Sequence, residues 1–111
     1  MEPPSRKNMI ATIDQLVYNT KTASLIAEDE STYLANDFKY WHECLYLTAK
    51  SNWFLHGSGG AMSAYAEGDG NHRSEGESII PMTRWDALNW CEAHRAQEAI
   101  DEYFGDMVGD A

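Results

Sequence analysis

Polar and apolar positions alternate most cleanly in the middle of the chain. Glu43, Leu45 and Leu47 fall on one face of an extended segment, and His42, Cys44, Tyr46 and Thr48 on the other. That period of two, in residues that favour strands, predicts a half-buried β-strand. Lys50-Ser51-Asn52 predicts a tight turn, and Trp53-Phe54-Leu55-His56 the returning strand. The sheet is expected to stop at Gly57-Ser58-Gly59-Gly60, because glycine weakens a strand interior. A short helical turn over 61–66 and a glycine-rich, polar surface loop over 67–78 follow. Upstream, residues 13–18 alternate loosely, Asn19-Thr20-Lys21-Thr22 makes a turn, and Ala23, Leu25 and Ala27 alternate with Ser24 and Ile26. Those two segments predict a first hairpin. The acidic triplet Glu28-Asp29-Glu30 then opens a polar loop reaching about Asp37.

After Ile79-Ile80-Pro81-Met82 the period changes to 3.6. Thr83 and Asp86 stand at N-cap and N3 spacing, with Asp in place of the usual Glu or Gln of a capping box. From Trp85, a helical stripe collects Leu88, Ala96, Ala99, Ile100 and Tyr103, and Gly105 supplies a stop. Glu92 falls inside that stripe, so the segment reads either as one helix or as two shorter ones broken near His94. On a continuous helix Cys91 and His94 point away from the sheet, and Trp90 lies off the stripe toward solvent beside Asp101. The fold class is α+β: a small antiparallel sheet with the C-terminal helix, whole or broken, packed on one face. Residues 1–12, polar and proline-containing at their start, read as a flexible lead-in, and 13–111 as a single domain.

Composition agrees with a folded core, since four Trp and six Tyr stand among 111 residues. The charge is less ordinary. Eighteen Asp and Glu against eight Lys and Arg give a formal net charge of −10. Such a surface repels nucleic acid and anionic membrane and steers toward basic protein surfaces. Half of the excess lies in the last quarter of the chain: Asp86, Glu92, Glu98, Asp101, Glu102, Asp106 and Asp110 face only Arg84 and Arg95. Two cysteines without a CxxC pair point to a reducing, intracellular compartment, and no apolar run approaches the length of a membrane span.

Candidate chemistry is sparse. His42-x-Cys44 on a strand and Cys91-x-x-His94 on a helix would together make a Cys₂His₂ zinc set, but the second pair is expected to face away from the sheet. Gly57-Ser58-Gly59-Gly60 resembles a phosphate-binding loop in outline, yet it lacks both the Lys-Ser/Thr ending and the GxGxxG spacing. Ser58 with His56, and Cys91 with His94, are neighbours in sequence without further signs of a nucleophile and its base. The expectation is no catalytic residue, no cofactor and no metal.

Longer blocks carry a resemblance. Leu45 through Gly60, followed by Met62-Ser63-Ala64-Tyr65-Ala66, resembles a family of small acidic proteins encoded by phages and mobile elements. Tyr18-Asn19-Thr20-Lys21-Thr22-Ala23 and Ile79-Ile80-Pro81-Met82-Thr83 fit the same pattern, so the resemblance spans 13–104 in scattered blocks. It implies a role in the contest between phage and host, in the cytoplasm of a bacterial cell, similar in character to anti-CRISPR inhibitors. On that basis the expected function is non-enzymatic inhibition of a nucleic-acid-binding defence complex, such as a CRISPR effector, by an acidic, DNA-mimicking surface. Glu28, Asp29, Glu30, Glu98, Asp101, Glu102 and Asp106 would supply the carboxylates, with Trp90 as an exposed anchor. The alternative is an accessory interaction module, an antitoxin or assembly factor, without mimicry.

Overall fold

The computed structural model describes residues 8–111. Six strands precede two helices: β1 (Ile10–Ile13), β2 (Leu16–Asn19), β3 (Ser24–Glu30), β4 (Trp41–Leu47), β5 (Trp53–Gly59), β6 (Gly76–Met82), α1 (Arg84–Ala93) and α2 (Gln97–Tyr103). β3 to β6 form one antiparallel sheet in sequence order, and β1 with β2 forms a separate hairpin. The fold is α+β, in three layers. The helices cover one face of the sheet, where Leu45, Trp53 and Leu55 meet Ala87, Leu88, Cys91, Ile100 and Phe104. The hairpin covers part of the other, where Tyr18 meets Cys44, Tyr46 and Phe54. Both faces of the central strands are therefore apolar, with Leu45 and Phe54 fully buried. Each such side chain contributes about 1.5–3 kcal/mol on leaving water.

The alternation in β4, the turn before β5 and the capped helix start match the sequence reading. Thr48 N–H donates to Asn52 C=O at 2.9 Å to close the turn. Thr83 accepts from the Asp86 N–H at 3.1 Å, and Asp86 accepts from the Thr83 N–H at 3.0 Å, so the capping box is complete with Asp at N3.

Several expectations are corrected. The first hairpin lies earlier in the chain: Ile13 pairs with Leu16, and Asp14 and Gln15 both take positive φ between them. That two-residue turn, of the left-handed kind whose twist suits a hairpin, splits the segment read as one strand over 13–18. β1 also claims Ile10, so ordered structure begins inside the expected 1–12 lead-in; the part of that lead-in over 1–7 lies outside the described residues. The acidic triplet belongs to β3 and does not open a loop. A β-bulge between Leu25 and Ala27 breaks the strict alternation there, so Ile26 and Ala27 both pack against the helical layer.

β5 continues through Gly57 and Gly59, where the sheet was expected to end. These glycines are what allow the strand to continue. A Cβ on Gly57 would fall inside the Tyr65 ring, and one on Gly59 would meet Ser63 and lie 2.7 Å from the Tyr40 carbonyl oxygen. Residues 61–66 form turns, not a helical turn, and fold back over this bare stretch. β6 takes up 76–78, the end of the expected loop.

The helical segment is broken. His94 caps α1 and Arg95 takes φ 57°. Ala96 N–H donates to Cys91 C=O at 2.9 Å and Arg95 N–H to Glu92 C=O at 3.3 Å, the bond pair of a Schellman cap with Arg where glycine is usual. The break leaves Glu92 facing solvent, while Cys91 enters the core and His94 lies over β3 and β4, reversing the orientation expected of both Cys91 and His94. Trp85, placed on the buried stripe by its spacing, is 62% exposed.

Candidate functional site

The three acidic residues of β3 are all engaged within the fold. The bulge restores alternation one residue out of step, so Glu28 and Glu30 share the hairpin-side face with His42 and Cys44 while Asp29 turns to the helical side. His42 Nε2 stands 3.0 Å from Glu28 Oε2. Tyr40 donates its hydroxyl to Glu30 Oε2 at 2.7 Å. On the opposite face, His94 Nδ1 lies 2.7 Å from Asp29 Oδ2.

Around His94 the helical face carries a connected polar network. Its Nε2 lies 3.4 Å from Glu43 Oε1, and its ring stacks on Trp90 with centroids 4.2 Å apart. Trp90 Nε1 donates to the same Glu43 oxygen at 2.9 Å, and the Tyr65 hydroxyl donates to Glu43 Oε2. Burial, then the hydrogen bond and charge of Glu43, push the Tyr65 phenol well above its ordinary range. Trp90 is thus a buried residue, 7% exposed, and not the solvent-facing anchor expected from its position on a continuous helix. The indole sits under the helix break because its N–H finds a carboxylate on β4 there.

On the hairpin side, the register places His42 opposite Ser58 and Cys44 opposite His56. His56 Nε2 stands 2.9 Å from Glu77 Oε1. Ser58 and Glu77 line an open cleft of about 710 Å³, together with Tyr40, Phe38 and Arg73. Of the sequence neighbours Ser58 and His56, Ser58 lines that cleft and His56 does not. The four-ligand zinc set does not assemble either, because Cys44 and Cys91 belong to cores on opposite faces of the sheet. Burial pushes the Cys91 thiol up to about 11, which suits a packed, unreactive side chain. Gly57, Ser58 and Gly59 lie within β5, and Gly60 directly follows it, so the glycine stretch is mostly strand where a phosphate-binding loop would need a strand-to-helix turn.

Of the carboxylates of the C-terminal segment, Glu98, Asp101 and Glu102 lie on an outer face, as helical spacing suggested. Asp86, Glu92, Glu98, Asp101, Glu102, Asp106 and Asp110 are all exposed. Glu98, Asp101 and Glu102 sit on α2 about one turn apart, with Asp101 accepting from Gln97 Nε2 at 2.8 Å. Asp106 holds Arg84 through two bonds of 2.8 and 2.6 Å, and that hydrogen bonding keeps its carboxyl below the usual value and raises Arg84. Sequence reasoning missed an apolar patch beside the cleft: Leu34 (77% exposed), Phe38 and Met62 lie on two loops joined by a Met62 N–H to Phe38 C=O bond of 2.7 Å. Isolated apolar residues in loops carry no periodicity, so nothing in the pattern marked them.

The fold and this surface define a three-layer α+β domain with an acidic helical layer. Comparison of the chain with protein-family models, curated proteins and solved structures finds no match. Among the described residues no helix is long and apolar enough to cross a membrane.

Proposed function

We propose that this chain is a non-enzymatic inhibitor that occupies a basic, nucleic-acid-binding surface of a host defence complex, of which a CRISPR effector is the leading example. The observation that carries this reading is the exposure of all seven carboxylates of the segment from α1 to the C-terminus, against two arginines of which Arg84 is already bound to Asp106. A row of carboxylates one helical turn apart offers a Lys- and Arg-lined groove the charge that phosphates would otherwise supply. The blocks that resemble small acidic phage and mobile-element proteins support the setting. Trp85, exposed at the start of α1, replaces Trp90 as the aromatic contact. Glu28, Asp29 and Glu30 serve the fold first, since each has a partner within it.

The test is the joint reversal Glu98→Lys, Asp101→Lys and Glu102→Lys, which moves the net charge from −10 to −4, two units per residue. Three exposed pairs at ~0.2–1 kcal/mol each amount to about 0.6–3 kcal/mol, or roughly 3- to 150-fold in affinity. Capture of an effector from a lysate should weaken by that factor and should weaken for the parent chain as salt rises. Unchanged capture and inhibition by the triple variant would remove the electrostatic model.

The exposed Leu34, Phe38 and Met62 favour a second reading, an accessory module that docks a protein partner through apolar contact. A partner retained by the triple variant at high salt, and lost on Phe38→Ser, would select it.

A further inference from the structure

We propose that Glu28, His42 and Cys44 form a binding site for one zinc ion, on the sheet face opposite the helices. The three donor atoms come from two strands and converge because the β3 bulge turns Glu28 toward β4. Their separations are 3.0 Å (His42 Nε2 to Glu28 Oε2), 3.7 Å (Cys44 Sγ to His42 Nε2) and 3.9 Å (Cys44 Sγ to Glu28 Oε2). A tetrahedral ion with Zn–S of about 2.3 Å and Zn–N and Zn–O of about 2.0–2.1 Å needs edges of about 3.5 Å to sulfur and about 3.3 Å between nitrogen and oxygen. Each edge of the triangle is therefore within about 0.4 Å of one face of that tetrahedron. Cys44 Sγ also lies 4.0 Å from His42 Nδ1, so the imidazole must turn to aim its Nε2 lone pair at the ion. Rotation of the Glu28 carboxylate alone changes two of the three edges.

The chemistry of the donors selects the metal. A thiolate with an imidazole and a carboxylate suits zinc, and discriminates against magnesium and calcium, which take oxygen. The ion, the Cys44 thiolate and the Glu28 carboxylate sum to zero charge, and zero is the charge a site this dry can hold. His42 and Cys44 are buried at 5% and 1%, while the Glu28 side chain is 40% exposed. The fourth position consequently opens on the Glu28 side and takes a water. On binding, Cys44 releases its proton to solvent, His42 carries its remaining proton on Nδ1, and the Glu28–His42 contact is replaced by two metal bonds. This set differs from the four-ligand arrangement that the sequence spacing suggested, in that it uses one cysteine and recruits Glu28 through a bulge invisible to spacing.

The full chain, stripped of metal by chelator and dialysed, is titrated with Co²⁺ and then with Zn²⁺. The expected result is a near-ultraviolet thiolate-to-cobalt band that saturates at one equivalent and is abolished by zinc. Cys44→Ser should remove the band and Cys91→Ser should leave it. Glu28→Gln, a near-isosteric change at a partly exposed position, should weaken zinc by at least about tenfold with an unchanged far-ultraviolet spectrum. If Cys44→Ser does not fold, the Glu28→Gln affinity decides. No saturable band, a band that survives in folded Cys44→Ser, or parental zinc affinity in Glu28→Gln would overturn the site.

Discussion

Gly57→Ala is the smallest change that should disrupt the most. The added methyl would occupy the space of the Tyr65 ring, whereas carbon atoms pack best at about 3.5–4.0 Å. The ring must withdraw by more than about 1 Å, and its hydroxyl then leaves Glu43. Overpacking of this kind costs about 1–3 kcal/mol, and loss of a hydrogen bond to a charged acceptor about 1.5–3 kcal/mol. Alanine recovers about 0.5–1 kcal/mol because it suits a strand better than glycine does. The net expectation is a loss of about 1.5–5.5 kcal/mol. Urea denaturation followed by tryptophan fluorescence measures it, and Gly105→Ala, whose Cβ would meet nothing within 4 Å, is the matched control. The Tyr65→Ala background supplies the decisive comparison, since Gly57→Ala should cost little once the ring is absent. A Gly57→Ala protein within about 0.5 kcal/mol of the parent, or one equally destabilised with and without Tyr65, would refute the account of why glycine stands there.

Two further outcomes follow from the helical layer. Thr83→Ala removes the side-chain acceptor of the α1 capping box and should lower stability by about 1 kcal/mol, read as a lower urea midpoint at unchanged slope. An unshifted midpoint would mean that the cap contributes nothing. Asp106 should titrate below its ordinary 3.8, by NMR, and return toward it in Arg84→Gln. Because the folded value is the lower one, the pair's small contribution to stability is present above the unfolded value and fades as pH falls through the folded one. An Asp106 midpoint unmoved by Arg84→Gln would exclude the pair in solution.

What was legible in the sequence is what depends on short-range pattern. The β4 alternation, the 50–52 turn and the Thr83–Asp86 box are written in residues a few positions apart, and the structure contains all three. Other features rest on residues that do not advertise their conformation. Asp14-Gln15 makes a two-residue hairpin turn without the usual glycine, and Arg95 takes the left-handed position of a helix cap. The β3 bulge shifts a register that strict alternation would keep, and with it the assignment of every acid in the triplet to a face. Trp90 shows the same limit. On a continuous helix it points to solvent, and only the break after it brings the indole over Glu43. Exposure of the α2 carboxylates was legible because helical spacing alone fixes it once Ala99 and Ile100 face the core.

The paired acids of β3 also bear on how copies of this chain treat one another. β3 is an edge of the sheet, with a row of backbone groups that could accept a further strand. An antiparallel copy laid along it around Asp29 would set Glu28-Asp29-Glu30 against the same three residues, carboxylate facing carboxylate. The other edge, β6, contains Pro81, which has no N–H to offer a newcomer. Repulsion along one border and a missing donor on the other both disfavour the addition of a further strand.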